Sequence, residues 1–258
     1  MVGIAYWRLR DYRRAGARRR RRQQRQAQAQ RQVCEAAHAA PTYGYRRIHQ
    51  ALAQQGIAIG RERVRALMGE RGLQPPVPRK PRRATPAVTP APWWPPGRKV
   101  QIDATRLTLD DGVTWVYLVE DVTSRACLAA DAAHRLDQDR AAAAIAQGQQ
   151  RLAELGIEES LVIQSDGGSD FRAEHFQECC QTLGAWIRCR VSVPGGMGML
   201  ERLNRTFKHD FIFWHEVNTL ADLQPLLPEF IAWYNQRRLH SSLGYKTPWQ
   251  VLMKEAKP

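Results

Sequence analysis

Acidic side chains are almost missing from the first 99 residues, which hold 4 Asp plus Glu against 23 Lys plus Arg. The other 159 residues reverse the balance, with 21 acidic against 16 basic, so the net charge of +14 comes from the N-terminal third alone. That polarity argues against a uniformly basic protein and points to a nucleic-acid-binding arm joined to a body that uses its own acids. Cysteine is also scarce. Cys34, Cys127, Cys179, Cys180 and Cys189 form no CxxC pair, and Cys34, His38 and His49 do not make a paired zinc pattern. An odd cysteine count fits a reducing, cytoplasmic setting rather than a disulfide framework. No apolar run approaches the 18 or so residues of a membrane span, and "MVGIAYWRLR" lacks the apolar core of a secretory signal.

Composition divides the chain into successive parts. Residues 1–32 form an Arg/Gln-rich arm with helical propensity and little apolar stripe beyond Tyr6, Trp7 and Tyr12, expected to order on a partner. Residues 33–74 carry Ile48 and Leu52, then Val64, Leu67 and Met68, at the spacing of two amphipathic helices. Gly56 and Gly60 punctuate the break between them. Arg46, Arg47, Arg61, Arg63 and Arg65 give this helix-turn-helix-like unit a basic face suited to phosphates or bases. Residues 75–97 are proline-rich and predict a stiff linker. From 98 to 215, strands at 99–109, 113–123, 125–133, 160–166 and 185–191 alternate with helices near 137–154 and 173–183. This is the pattern of a mixed α/β sheet flanked by helices, preceded by a small all-α domain. Helices at 200–214 and 219–236 lead into a C-terminal helical extension, residues 216–258.

Three acids stand at informative places. Asp103 lies inside the first core strand, Asp166 ends the fourth within "SDGGSDF", and Glu201 opens a helix with 34 residues between it and Asp166. If the first and fourth strands are neighbours, the three can converge. Oxygen ligands without histidine or thiol suit Mg²⁺, and two such ions about 3.5–4 Å apart promote in-line phosphoryl transfer. Asp166 also suits a simple Asx turn, and Glu201 a helix-surface pair with Arg205.

The words around these acids resemble a known family. "SDGGSDF" is similar to the S-D-x-G-S-x-F/Y segment of the integrase core, and "GMLERLNRTFK" to its G-x-x-E-R-x-x-R-T-x-K helix. "WYNQRRLHSSLGYKTP" and "TYGYRRIHQAL" resemble the tail and the helical-domain start of insertion-sequence transposases of the IS-three family. The resemblance covers roughly residues 40–250. It departs from the family at Val100, Gln164, Met197 and Leu239, where Trp, His, Asn and Pro are common.

The resemblance implies a ribonuclease-H-like catalytic core. It implies an Asp103, Asp166, Glu201 triad dependent on Mg²⁺, with Mn²⁺ as substitute and two ions, that cuts DNA and transfers the strand. Arg205 and Lys208 would follow Glu201 toward the element's end. The tail would pack a helix end onto the core through Trp233 and Tyr234, with Asn235, Arg238 and His240 as further candidates to reach DNA. It also implies partners: terminal-repeat and target DNA, further copies of the chain on that DNA at the nucleoid, and an upstream-frame helix-turn-helix and leucine-zipper protein fused by frameshifting. No heptad zipper is present in this chain. A decayed copy acting as a DNA-binding regulator and a ribonuclease-H-like nuclease are the alternative readings.

Overall fold

The computed structural model describes residues 2–75, 94–189 and 197–255, with side chains described from Arg14 onward and not at 255. Two compact units result, Met1–Pro81 and Arg82–Pro258. Most of the proline-rich stretch, and the glycine-rich approach to Glu201, lie outside the described residues.

The first unit holds α1 (Val2–Ala39), α2 (Tyr45–Gln54) and α3 (Arg61–Glu70). The arm expected to await a partner is part of one 38-residue helix. Its alanines, arginines and glutamines are strong helix formers, and its last turns bury Val33 and Ala37. A boundary at 32/33 therefore falls inside a helix. Ile48 and Leu52 of α2 meet Val64, Leu67 and Met68 of α3, all at most 1% exposed. Each such side chain contributes on the order of 1.5–3 kcal/mol. Gly56 ends the first helix of the pair at φ 76°, a left-handed value that glycine adopts without steric cost.

In the second unit β1 (Lys99–Leu109), β2 (Gly112–Asp121), β3 (Cys127–Ala133), β4 (Leu161–Ser165) and β5 (Gly184–Arg188) form one sheet in the order β3-β2-β1-β4-β5. The first three are antiparallel, while β1–β4 and β4–β5 are parallel. Alternation along each strand sends side chains to two cores. Val100, Ile102, Tyr117, Val119, Leu161 and Ile163 share a core with α4 (Gln138–Ala153) and α5 (Glu174–Leu183). Leu107, Val116 and Leu118 face α6 (Gly198–Thr206) and α7 (Leu220–Gln236). Asp137 caps α4, and a Thr219–Asp222 capping box starts α7, which runs on through Pro225 and Pro228. At Gly184 (φ 155°) a Cβ would lie 2.0 Å from the Leu161 carbonyl oxygen, so only glycine lets β5 begin against β4. A last helix, α8 (Pro248–Glu255), buries Leu252.

Candidate functional site

Parallel register aligns Gln101 of β1 with Gln164 of β4. Two residues further along each chain, Asp103 and Asp166 come side by side at the carboxyl end of β4, on the α6/α7 face of the sheet. Asp103 is mostly buried, and burial, then the facing Asp166 carboxylate, push its pKa up to about 6. Asn204 of α6 offsets part of this, donating from Nδ2 to Asp103 Oδ2 at 2.8 Å. Asp166 Oδ1 accepts from the Gly168 amide at 2.9 Å. The Asx turn and the juxtaposition with Asp103 therefore coexist.

Two participants escaped the sequence reading. Asp170 is 6% exposed, accepts from the Tyr117 hydroxyl at 2.8 Å and adds a further repulsion on Asp103. The same hydroxyl accepts from the Asp137 amide, which ties the loop after Asp166 to β2 and to the start of α4. Asn204 is the second. Its signal was helical spacing: three residues after Glu201 and four before Lys208, it shares their face.

Glu201 stands exposed in the first turn of α6, and its backbone amide closes the helix onto Met197. Among the described residues no group of three His, Cys, Asp or Glu side chains is gathered closely enough to hold a metal ion. The strand ends bring Asp103 and Asp166 together; α6 contributes Asn204 to them, and Glu201 stays one turn away. Lys208, the expected basic contact to the element's end, is half-buried. It falls in a π-helical turn, Phe207–Phe211, where Nζ donates to the Arg106 carbonyl at 2.7 Å and burial lowers its pKa. Arg205 remains exposed.

The tail residues differ more sharply from DNA contacts. Asn235 is 4% exposed, accepts from the Cys127 amide and donates to the Cys127 carbonyl, both at 2.8 Å, so its amide continues the sheet at the start of β3. Arg238 is 5% exposed, with Nη2 on Asp210 at 2.7 Å and on Thr206 at 3.2 Å. His240 is buried edge-on to Tyr234 and pairs by its backbone with Lys246. These groups hold the helix end to the core, the packing role the sequence also implied. A planar amide or guanidinium with matched donors and acceptors serves an interior as well as a phosphate, which is why residue type alone did not separate the two uses.

In the helical unit the basic face is present. Arg46, Arg61 and Arg65 are exposed, and Arg47 and Arg63 half-buried. Arg46 and Arg65 both lie 5.7 Å from the Tyr45 ring, and Arg47 lies 5.4 Å from that of Tyr43. Loose ion pairs tie Arg61 and Arg65 to Glu62 and Arg63 to Glu70, at 3.4–3.9 Å. Such exposed pairs are worth little and exchange readily for phosphate.

The Integrase core domain family is matched over residues 185–248, and the HTH-like domain family over residues 21–81. With the five-stranded sheet and its flanking helices, these matches make the second unit similar to an integrase core and the first to an HTH-like domain. The particular relatives come from insertion elements, the kind of source that the sequence resemblance implied. The chain is 28% identical over 235 residues to the probable transposase for insertion sequence element IS1353 of Shigella flexneri, a match covering 80% of this chain and 42% of that protein. It is 24% identical over 230 residues to the insertion element IS407 uncharacterized 31.7 kDa protein of Burkholderia multivorans, covering 86% and 80%. The chain thus spans less than half the length of the Shigella relative. Among solved structures it is similar to the simian T-cell lymphotropic virus intasome in complex with PP2A regulatory subunit B56 gamma. That match has a TM-score of 0.53 at 17% identity, covers 79% of this chain and 70% of that one, and bears on fold alone. The integrase match contains Glu201 and the tail but begins after Asp103 and Asp166, whose pairing rests on the sheet.

Proposed function

We propose that the chain is a DNA transposase that cleaves and joins the ends of an insertion sequence by phosphoryl transfer at Asp103, Asp166 and Glu201. The observation that carries this reading is the β1–β4 register, which aligns the strand ends that carry Asp103 and Asp166, with burial and the facing Asp166 carboxylate making Asp103 hold its proton longer than usual. Two converging, oxygen-only, like-charged groups fit a divalent cation, Mg²⁺ or its substitute Mn²⁺. Held by Asp103 and Asp166 with Glu201 joining from α6, one or two such ions would supply activation of the attacking oxygen and charge neutralisation at the phosphate.

The chain's own groups prepare that site. Asn204 fixes the Asp103 carboxylate in one orientation. The Tyr117–Asp170 hydrogen bond holds the loop that carries Asp166. Two adjacent acids repel a phosphodiester, so affinity must come from elsewhere. Arg46, Arg47, Arg61, Arg63 and Arg65 are the groups to take DNA phosphates, with Arg205 near the site, and this binding should weaken steeply with salt. Terminal-repeat and target DNA, further copies of the chain on that DNA, and the upstream-frame protein are the partners of this reading, and the bacterial cytoplasm and nucleoid its location. Among the described residues no helix is long and apolar enough to cross a membrane.

The exposed position of Glu201 favours a second reading, a decayed copy that binds DNA without cutting it. Incubating the full chain, alone and fused to its upstream frame, with labelled oligonucleotides carrying the element's ends separates the two. Nicking and joining that need Mg²⁺ and vanish in Asp166→Asn support the transposase. Binding without cleavage in the fused form supports the decayed copy, and cutting without joining a ribonuclease-H-like nuclease.

A further inference from the structure

Beside the first turn of α6 lies a cavity of about 280 Å³, lined in part by Glu120, Arg125, Arg202, Tyr234, His240 and Ser242. Its floor is unusual. Glu120, 2% exposed, sits opposite Gln101 on β1, two positions from the Asp103–Leu118 pair. Its Oε1 accepts a long 3.4 Å hydrogen bond from the Tyr234 hydroxyl, and its Oε2 is buried with no hydrogen-bond partner among the described residues. Arg125 Nη1 is likewise buried without one. Arg125 acts on Glu120 through space yet makes no ion pair with it among the described residues. A buried acceptor and a buried donor that face one space without meeting are each costly, and the cavity is far larger than a single water needs.

The rim has a different chemistry. Arg202 and Ser242 are exposed there, beside the backbone of Gly198 and Met199 at the start of α6. Arginine, hydroxyl and helix amino end together are donors for a phosphate. The buried Tyr234 and His240 rings and the Glu120 carboxyl below them offer flat apolar surface and hydrogen-bond capacity to a planar, polar group. Phosphate donors above and a hydrogen-bonding floor below fit one ligand class.

We propose that this cavity is a subsite for a single unpaired nucleotide of a DNA strand, its phosphate at Arg202 and Ser242 and its base edge against Glu120 and Arg125. The proposal rests on the DNA reading above and adds to it a place where one nucleotide beside the reacting phosphodiester is held out of the duplex. Unstacking a base is unfavourable, and the unmet donor and acceptor on the floor are what would offset it.

The test is isothermal titration calorimetry of the full chain, without divalent cation, using deoxynucleoside monophosphates, inorganic phosphate and deoxynucleosides as separate probes. Saturable monophosphate binding is expected, about 10-fold tighter than phosphate or nucleoside alone. Arg202→Ala should weaken the monophosphate about 10-fold and leave the nucleoside unchanged. Glu120→Gln, checked for an intact fold by thermal melting, should weaken both nucleoside and monophosphate and spare phosphate. No saturable monophosphate binding overturns the proposal. So does phosphate binding as tightly as the monophosphate with Glu120→Gln without effect, which would mark a simple anion site. Because no cleavage is measured, binding with these variant effects supports the subsite even if the chain proves unable to cut DNA. Cleavage of end-bearing DNA by a chain that binds no mononucleotide leaves the transposase reading and removes the subsite.

Discussion

At the residue scale, burial and then the facing Asp166 carboxylate raise the cost of ionising Asp103, so neutralising Asp166 should remove part of it. In Asp166→Asn the carboxyl of Asp103 should titrate below its value of about 6, measurable by NMR pH titration of the side-chain carbon, while cleavage is lost. An unchanged Asp103 titration would mean that the two acids do not meet. Asn204→Ala removes the hydrogen bond to Asp103 and should cost about 1–2 kcal/mol in chemical denaturation, with activity falling more than DNA affinity. Glu120 gives a pH signature of another kind. Burial pushes its carboxyl up to about 8 from 4.5, so between these values the folded chain keeps a proton that the unfolded chain has released. Stability from this group is full below the lower value, falls as pH rises through the window and is flat above it. Glu120→Gln should abolish that fall, a difference of a few kcal/mol by pH 8, seen in melts across the range. The acids were legible because an ionisable group inside "VQIDATRL" adds nothing to the packing of a central strand. Asp170 and Asn204 were not, since their role depends on which carboxylate each one faces.

The elements of the core followed closely from pattern. Alternation and apolar runs placed all five strands, and the 3.6-residue period placed α2 and α3. Helix α1 differed because propensity without an apolar stripe reads as disorder, and a few buried residues at its end are hard to see in a run of arginines. The tail was harder to read because Asn235 and Arg238 look the same in sequence whether they face DNA or the protein interior. Arg238→Ala should therefore cost about 1–3 kcal/mol of stability by leaving the half-buried Asp210 unpaired, with the salt slope of DNA binding unchanged. A lowered slope at unchanged stability would return Arg238 to the DNA. Gly184→Ala should be at least as damaging as a poor turn substitution, about 1–3 kcal/mol, since both its φ and the Leu161 carbonyl oppose a side chain.

For the whole molecule, charge is divided: basic in the first 99 residues and slightly acidic after them. On the proposed reading, a body whose paired acids repel DNA needs that separation. Affinity for end-bearing DNA should fall log-linearly with salt, and replacing Arg46, Arg61 and Arg65 with alanine should reduce the slope by about one for each phosphate no longer neutralised. Filter binding or fluorescence anisotropy over a salt series reads this directly.

Sequence alone determined the class of protein: the charge division, the α/β order, the helix pair and the motif words that resemble insertion-sequence transposases. Each is carried by local pattern, since periodicity, propensity and motif spacing act over a few residues. Tertiary structure decided which polar groups face the site and which face the interior. The β1–β4 register joins Asp103 to Asp166 across about 60 residues of chain, and packing of α6 and α7 turns Asn204 toward the site and Asn235 and Arg238 away from solvent. It also leaves Glu120 Oε2 and Arg125 Nη1, in one cavity, without a hydrogen-bond partner among the described residues. A side chain's partner lies far along the chain, and only folding supplies it.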